Sequence, residues 1–446
     1  MSNLGNTGQS TNLGRDGKIT SPMSYRIEYC RLYPNEKANP LEKEFFEISE
    51  IVKQIIIEES MDQQSVLVRL AIGDASNSLE FLRITGNEKI ELLISQDILD
   101  KEKKEIELEL YISDITSYSK PAIAQQTYEI QCVNKHAYLN QLEMISEPFD
   151  NSIGKTIENI CQSHLDVEEI IIDSQGGRIK GIVPNLRPIA ACNWLARNAL
   201  ENGQPHYFFD SVKNGLRFSS YESLIKEDPV IKLNNQPFFE GIQKDQKENF
   251  DIELKRVQRV SSDLNLSKFN DAAAGAYAST LTSVDLSKKK VEIKKSEDTE
   301  LITLNDNKPW PEEDSKFGDK LDKKKNSKKF FTNQNSLAFE NQLNYHSNEV
   351  DNLQKAIMQI ANLNFITHTM EVAGNPDIYP GSVVELDFWK SGAPELLEGA
   401  EKEEDELMSG KYIVDRVVHV FKLDYTMTLE IKKDSSKFSF DEKGTV

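Results

Sequence analysis

Gly154-Lys155-Thr156 comes nearer than any other group in this sequence to a recognised chemical motif, the phosphate-binding loop. That loop requires a further glycine five positions before Gly154 and a buried strand leading in; Phe149 stands there instead, between Pro148 and Asp150. The triplet reads as a helix start with a surface lysine. The six histidines, His136, His164, His206, His346, His368 and His419, offer no pair at metal-ligand spacing beside a cysteine or carboxylate cluster. His419 lies in a strand-like run and suits a hydrogen-bonding role. Glu401-Lys402-Glu403-Glu404-Asp405-Glu406 lacks the alternating spacing and turn glycine of a calcium loop, and adjacent carboxylates cannot converge on one bond. It reads as a solvated hairpin tip. A hydrolase would have to be assembled from dispersed residues such as His206, Asp210 and Glu147, and a carbohydrate surface from Trp310 and Trp389. The sequence is therefore expected to be non-enzymatic, with no catalytic, cofactor or metal site.

Composition narrows the remaining classes. Hydrophobic residues make up 38% and charged residues 28% of the 446, which is globular, and the length suits two to four domains. A net charge of -20 opposes a phosphate-gripping surface, because such binding needs lysine and arginine to neutralise the backbone. Cys30, Cys132, Cys161 and Cys192 are widely spaced and read as reduced, buried thiols. Residues 1–21 hold no apolar core of a signal peptide, and no apolar run reaches the roughly 20 residues of a membrane span. A cytosolic start without membrane insertion is expected.

The elements that would position any site alternate between two kinds. From Tyr25 to Val133 the pattern is mostly strand, with Val66, Val68 and Leu70 alternating and Ile106-Glu107-Leu108-Glu109-Leu110 strictly so. From Ser152, a plausible N-cap, Ile153, Ile157 and Ile160 recur at helical spacing. A second helix follows Pro188 with Ile189, Trp194, Leu195 and Leu200, and Gly203 closes it. Tyr207–Asp210 and Leu216–Phe218 read as a hairpin. Strands resume at Ile252, Leu254 and Val257. Lys288–Lys329 is dense in charge and reads as a mobile or partner-ordered excursion; a helix over 348–361 presents Leu353, Ile357 and Ile360 on one face before strand returns at Phe365. These boundaries give a flexible arm at 1–22, a first β domain at 23–137 and an α/β insertion at 138–240. A second β domain is split into 241–287 and 363–435 around the excursion at 288–362, with a tail at 436–446. The expected fold class is mainly β with an α/β insertion: two antiparallel barrel or sandwich domains, the second discontinuous.

One pattern occurs in both β regions. Gly86-Asn87 leads to a strand, then Tyr111-Ile112-Ser113-Asp114 and a Thr/Tyr strand; Gly374-Asn375 with Pro380-Gly381 leads to a strand, then Gly410, Tyr412-Ile413-Val414-Asp415 and a Thr/Tyr strand. Gly86, Gly374, Pro380, Gly381 and Gly410 read as structural turns, and Tyr111, Asp114, Tyr412 and Asp415 as a repeated strand motif. A duplicated β unit lets a ring of low order imitate one of twice that order.

Gly374 to Val384, followed by Tyr412-Ile413-Val414-Asp415-Arg416-Val417-Val418-His419, resembles the closing segment of central baseplate hub proteins of contractile-tailed bacteriophages, the myoviruses. There a G-N-x-x-(L/I)-x-P-G turn precedes a strand and Y-x-V-D-x-V-x-H follows. Val183–Pro188, Trp194–Ala196 and Tyr207–Phe209 resemble that family's inserted domain, so the resemblance spans Tyr25 to Lys433. It implies two tail-tube-like β domains and a homotrimer whose six domains ring a channel. The ring would join a trimeric central spike to tail-tube or tube-initiator proteins, beside the tape-measure protein and baseplate wedge. DNA would transit without specific binding. The implied location is the virion tail baseplate, assembled in the host cytoplasm. The longer 288–329 excursion and acidic tip depart from the family pattern. The rivals are a spike-base component of a phage-tail-like or secretion particle and a cell-wall-degrading hydrolase.

Overall fold

The computed structural model describes residues 21–35, 43–75, 77–96, 103–122, 125–235, 246–265, 279–286, 289–295, 302–307, 328–334, 345–389 and 404–438. The first β unit contains β1 (Arg26–Tyr33), β2 (Phe46–Glu47), β3 (Val52–Ser60), β4 (Leu67–Asp74), the short helix α1 (Ser78–Phe81), β5 (Lys89–Gln96), β6 (Lys104–Ala122) and β7 (Gln125–Asn134). Alternation builds it: in β6, Ile106, Leu108, Leu110 and Ile112 are buried while Glu105, Glu107 and Glu109 face water. Each such aliphatic contributes roughly 1.5–3 kcal/mol on full burial.

Helix α2 (Lys135–Leu139) leads into a region with its own core. This holds β8 (Pro148–Ser152), α3 (Ile153–His164), β9 (Ile171–Ile172), β10 (Arg178–Ile182), α4 (Pro188–Asn198), β11 (His206–Ser211), β12 (Gly215–Ser220) and α5 (Tyr221–Ile225). Ser152 caps α3 by accepting from Lys155 N at 3.4 Å, and Ile153, Ile157 and Ile160 point inward. Pro188 occupies the first turn of α4, where its missing N–H costs nothing.

The second β unit contains β13 (Lys232–Asn234), α6 (Gln246–Lys255) and β14 (Val257–Leu264). After an excursion carrying β15 (Ser279–Asp285), β16 (Lys290–Lys295) and β17 (Lys328–Gln334), it resumes with α7 (Tyr345–Leu363), β18 (Ile366–Ala373), β19 (Val383–Asp387), β20 (Gly410–Phe421) and β21 (Tyr425–Lys433). The fold is mainly antiparallel β, with the second unit discontinuous. Three differences from the sequence reading stand out. Strand β13, placed in the insertion by the sequence, pairs with β19. Residues 290–295, read as linker, form β16 against β15; residues 308–327 of that stretch lie outside the described residues. In α7, Ile360 is exposed and Ala356, Gln359 and Leu363 are buried, because the Gln359 amide donates to Ile302 O at 2.7 Å and so takes an inward position a hydrophobic pattern assigns to an aliphatic.

Thirteen strands form one sheet with no closed barrel among the described residues; its main path runs β14-β18-β21-β20-β3-β4-β7-β6-β5-β1-β2, with β19 beside β20 and β13 beside β19. Unit one thus reads β3-β4-β7-β6-β5-β1 and unit two β14-β18-β21-β20-β19-β13, the same strand order with the chain running through it in the same sequence. The irregularities repeat too. The β3–β4 register shifts by a bulge at Lys53, and the β14–β18 register shifts by one at Gln258. A second leaves Ser113 unpaired in β6 and Asp415 in β20. A bulge re-aims every later side chain, so its retention at matching places keeps two divergent sequences on one architecture. One departure is the last strand: β1 is antiparallel to β5, whereas β13 is parallel to β19.

Candidate functional site

The two units meet where β20 changes neighbours. Gly410–Ile413 pairs with β19; beyond the bulge, Arg416–Phe421 pairs antiparallel with Ile55–Ser60 of β3. The backbone ladder is reinforced by side chains. His419 Nε2 lies 3.2 Å from Glu59 Oε1 and Nδ1 lies 2.8 Å from the Tyr425 hydroxyl; Glu59 Oε2 accepts from Val212 N at 2.7 Å. Arg416 binds Glu58, which Arg69 also contacts at 3.2 Å. Arg416 is half exposed, so that pair is worth little beside the buried one. Asp415, the bulge residue, pairs with Lys432 at 2.8 Å, both side chains largely covered, while its carbonyl accepts from Met61 N.

The inserted region is tied to the same seam. Asp210 Oδ2 accepts from Val66 N at 3.1 Å and Asn134 Nδ2 at 2.6 Å, with His136 Nε2 at 3.3 Å. Behind β20, His368 is held between Ser262 Oγ and the Tyr412 hydroxyl, and Lys433 Nζ donates to Leu407 O and Ser409 O. Burial, reinforced by Lys433, pushes the His368 pKa down to about 4. Burial likewise lowers Lys433 to about 7.

The turn residues occupy distinct places. Gly374 packs so tightly on Tyr425 that a Cβ there would sit 2.2 Å from the ring. Gly410 opens β20 with φ of 120°, and a Cβ would lie 2.5 Å from Asn305 Oδ1, which accepts from Lys411 N. Gly381 donates to Val414 O, Pro380 precedes it, and Gly86 sits in an open turn. That turn is closed by Glu88: burial opposes its charge, but N–H groups of Thr85 and Gly86 hold its pKa below the usual carboxylate range.

The repeated Tyr-Ile-x-Asp strands do not superpose residue for residue. Ile90 of β5 faces Leu110, and Val384 of β19 faces Tyr412; the last pair before each bulge involves Ile112 and Val414. Leu110 is therefore the counterpart of Tyr412, and Ser113 of Asp415. Tyr412 is buried, whereas Tyr111 is on the opposite face beside Tyr138, and Asp114 is exposed.

His206, Asp210 and Glu147 are not brought together. Glu147 contacts His164, Asp210 contacts His136, and His206 Nε2 meets Ser174 Oγ at 2.9 Å. The serine–histidine contact resembles an activated nucleophile. Its neighbouring backbone donor, Gly176 N, is occupied by Glu201 Oε2 at 2.9 Å, so the group reads as a loop brace. Trp389 N donates to Asn235 Oδ1 at a strand end; Trp310 lies outside the described residues. No group of metal-ligating side chains occurs, and no helix is long and apolar enough to cross a membrane, among the described residues.

Phage tail proteins are among the solved structures that resemble this chain. A tail protein from Neisseria meningitidis aligns at TM-score 0.49 and 11% identity over 92% of this chain and 97% of that one. A prophage tail protein from Shewanella oneidensis aligns at TM-score 0.48 and 10% identity over 91% and 98%. A chain of a Francisella PdpA–VgrG complex aligns at TM-score 0.45 and 11% identity over 95% of this chain and 60% of its own. No protein-family model matches the sequence, and no curated protein does.

The seam itself was not legible beforehand. Glu58-Glu59 at the end of an aliphatic strand is the one sequence signal for it, since buried carboxylates require partners.

Proposed function

We propose that this chain is the non-enzymatic central hub of a contractile tail baseplate. Three copies close a ring of six alternating β units around a channel, in the virion baseplate, after assembly in the host cytoplasm. One face seats a trimeric spike and the other meets a tail tube or its initiator, beside the tape-measure and wedge proteins. The observation that carries this reading is the duplication: two units of one strand order, with matching bulges, joined edge to edge in one sheet. A threefold ring of such pairs offers six similar units, which reconciles a threefold partner with a sixfold one.

The acidic composition suits a channel that passes DNA, since a wall of like charge neither attracts the phosphates nor releases their counterions. The test is negative-stain electron microscopy of the purified chain at micromolar concentration, classified without imposed symmetry. Threefold rings with an open centre and six lobes are expected. Compact particles of single-chain size would overturn the proposal that the chain closes this ring by itself.

A further inference from the structure

The excursion between β14 and α7 carries a sheet of its own, in the order β16-β15-β17. Along β15 successive side chains go opposite ways, so Leu281, Ser283 and Asp285 share one face and Thr282 and Val284 the other. The first face is covered: all three residues are buried, and β15 lies against α7. The second is open. Register sets Ile293 of β16 and Phe331 of β17 on either side of Thr282, and Val291 beside Val284. Val291, Ile293 and Phe331 are 59%, 65% and 75% exposed, so three large apolar side chains stand together in water. Single exposed aliphatics are ordinary, but a contiguous group marks a contact surface.

Charge is sorted between the two faces. In the next row of the open face, Lys295 and Lys329 flank Thr280, and both lysines are exposed. The acids of these strands, Asp285 and Glu292, belong to the covered face, where Lys290 reaches Glu292. The open face is therefore apolar and bordered by lysine, with no carboxylate from its own three strands, on a chain of net charge -20.

We infer that this face docks a segment of another protein that presents an apolar stripe bordered by carboxylates, a contact separate from closure of the ring. Such a segment is repelled by the net charge of the chain and attracted here, which selects both the partner and its register. A second copy of the same face supplies apolar surface but no carboxylate for the lysines. Anionic lipid recruits clusters of roughly four to eight basic residues, whereas the described rows of this face carry Lys295 and Lys329. Strand addition is opposed by lysines on both edge strands, among them Lys290 and Lys294 on β16 and Lys328 on β17. Edge guarding accounts for the lysines but gives Ile293 and Phe331 no reason to stand in water, so the partner lies on the face.

The test presents the full chain with two labelled peptides of equal length, one alternating valine with glutamate and one alternating valine with lysine, and reads fluorescence anisotropy. Phosphatidylglycerol vesicles are run beside them. Binding of the glutamate peptide alone is expected. Ile293→Asp and Phe331→Ser should each weaken it at least about tenfold at unchanged Tm, as loss of a central apolar anchor does. In the double variant Lys295→Glu with Lys329→Glu, the preference should pass to the lysine peptide. Equal binding of both peptides, binding of neither, or undiminished binding by Ile293→Asp would overturn the inference. Vesicle binding without peptide binding would assign the face to lipid, and self-association abolished by Phe331→Ser would assign it to a second copy; either overturns it too. The ring is read separately from particle images, so a failed peptide test leaves the hub reading standing.

Discussion

The imidazole of His419 and the carboxylate of Glu59 meet at 3.2 Å across the boundary between the two β units, each side chain only 1% exposed. Glu59 also accepts from Val212 N of the inserted region, so one carboxylate ties three parts of the chain together. Removing one partner of a buried pair costs roughly 3–5 kcal/mol, because the other loses its compensation without regaining water. His419→Ala should lower the urea midpoint accordingly, and His419→Gln, which keeps a donor, should lower it less. A loss below about 1 kcal/mol in the alanine variant would show that the backbone ladder alone holds the seam.

Gly374→Ala tests the close approach to Tyr425. A methyl group 2.2 Å from ring atoms cannot be accommodated without moving β18 or β21. Overpacking of this kind costs roughly 1–3 kcal/mol. Paired with Tyr425→Leu, the same change should cost less than the sum of the two single losses in equilibrium unfolding; strict additivity would place the strain elsewhere.

Lys433 sets an alkaline prediction. Burial lowers its folded pKa to about 7, below the unfolded value, so between those values the unfolded chain holds a proton that the folded chain has released. The penalty is full below that window and lifts as pH rises through it. Stability of the parent should therefore gain on Lys433→Met between pH 7 and the ordinary lysine range, measured as the difference in Tm; a constant difference would contradict the buried amine.

His368 sets an acid prediction. Burial and then Lys433 hold its folded pKa down to about 4, under the ordinary histidine value, so the unfolded chain binds the proton first as pH falls. Stability should drop from near pH 6.5 to 4, and His368→Asn should flatten that part of the profile. An identical slope in parent and variant would assign the loss to other groups.

The sequence by itself determined the mainly β character, the interrupting α/β core, the split second unit and the existence of a repeat. Each follows from local period: Ile106 to Ile112 alternate, Ile153 to Ile160 step helically, and turn glycines punctuate both halves. Its residue-by-residue matching of Tyr111 to Tyr412 missed by one position: register is set by strand pairing, which aligns Leu110 with Tyr412, and a one-residue shift exchanges the buried and the outer face of a strand. The burial of Gln359 in place of Ile360 was likewise hidden, because its partner is a carbonyl remote in sequence. Only the tertiary structure decided that β3 and β20 share an edge and that His419 finds Glu59. Edge pairing is made by backbone N–H and C=O groups that every residue carries, so the amino-acid alphabet leaves almost no mark of which edge meets which.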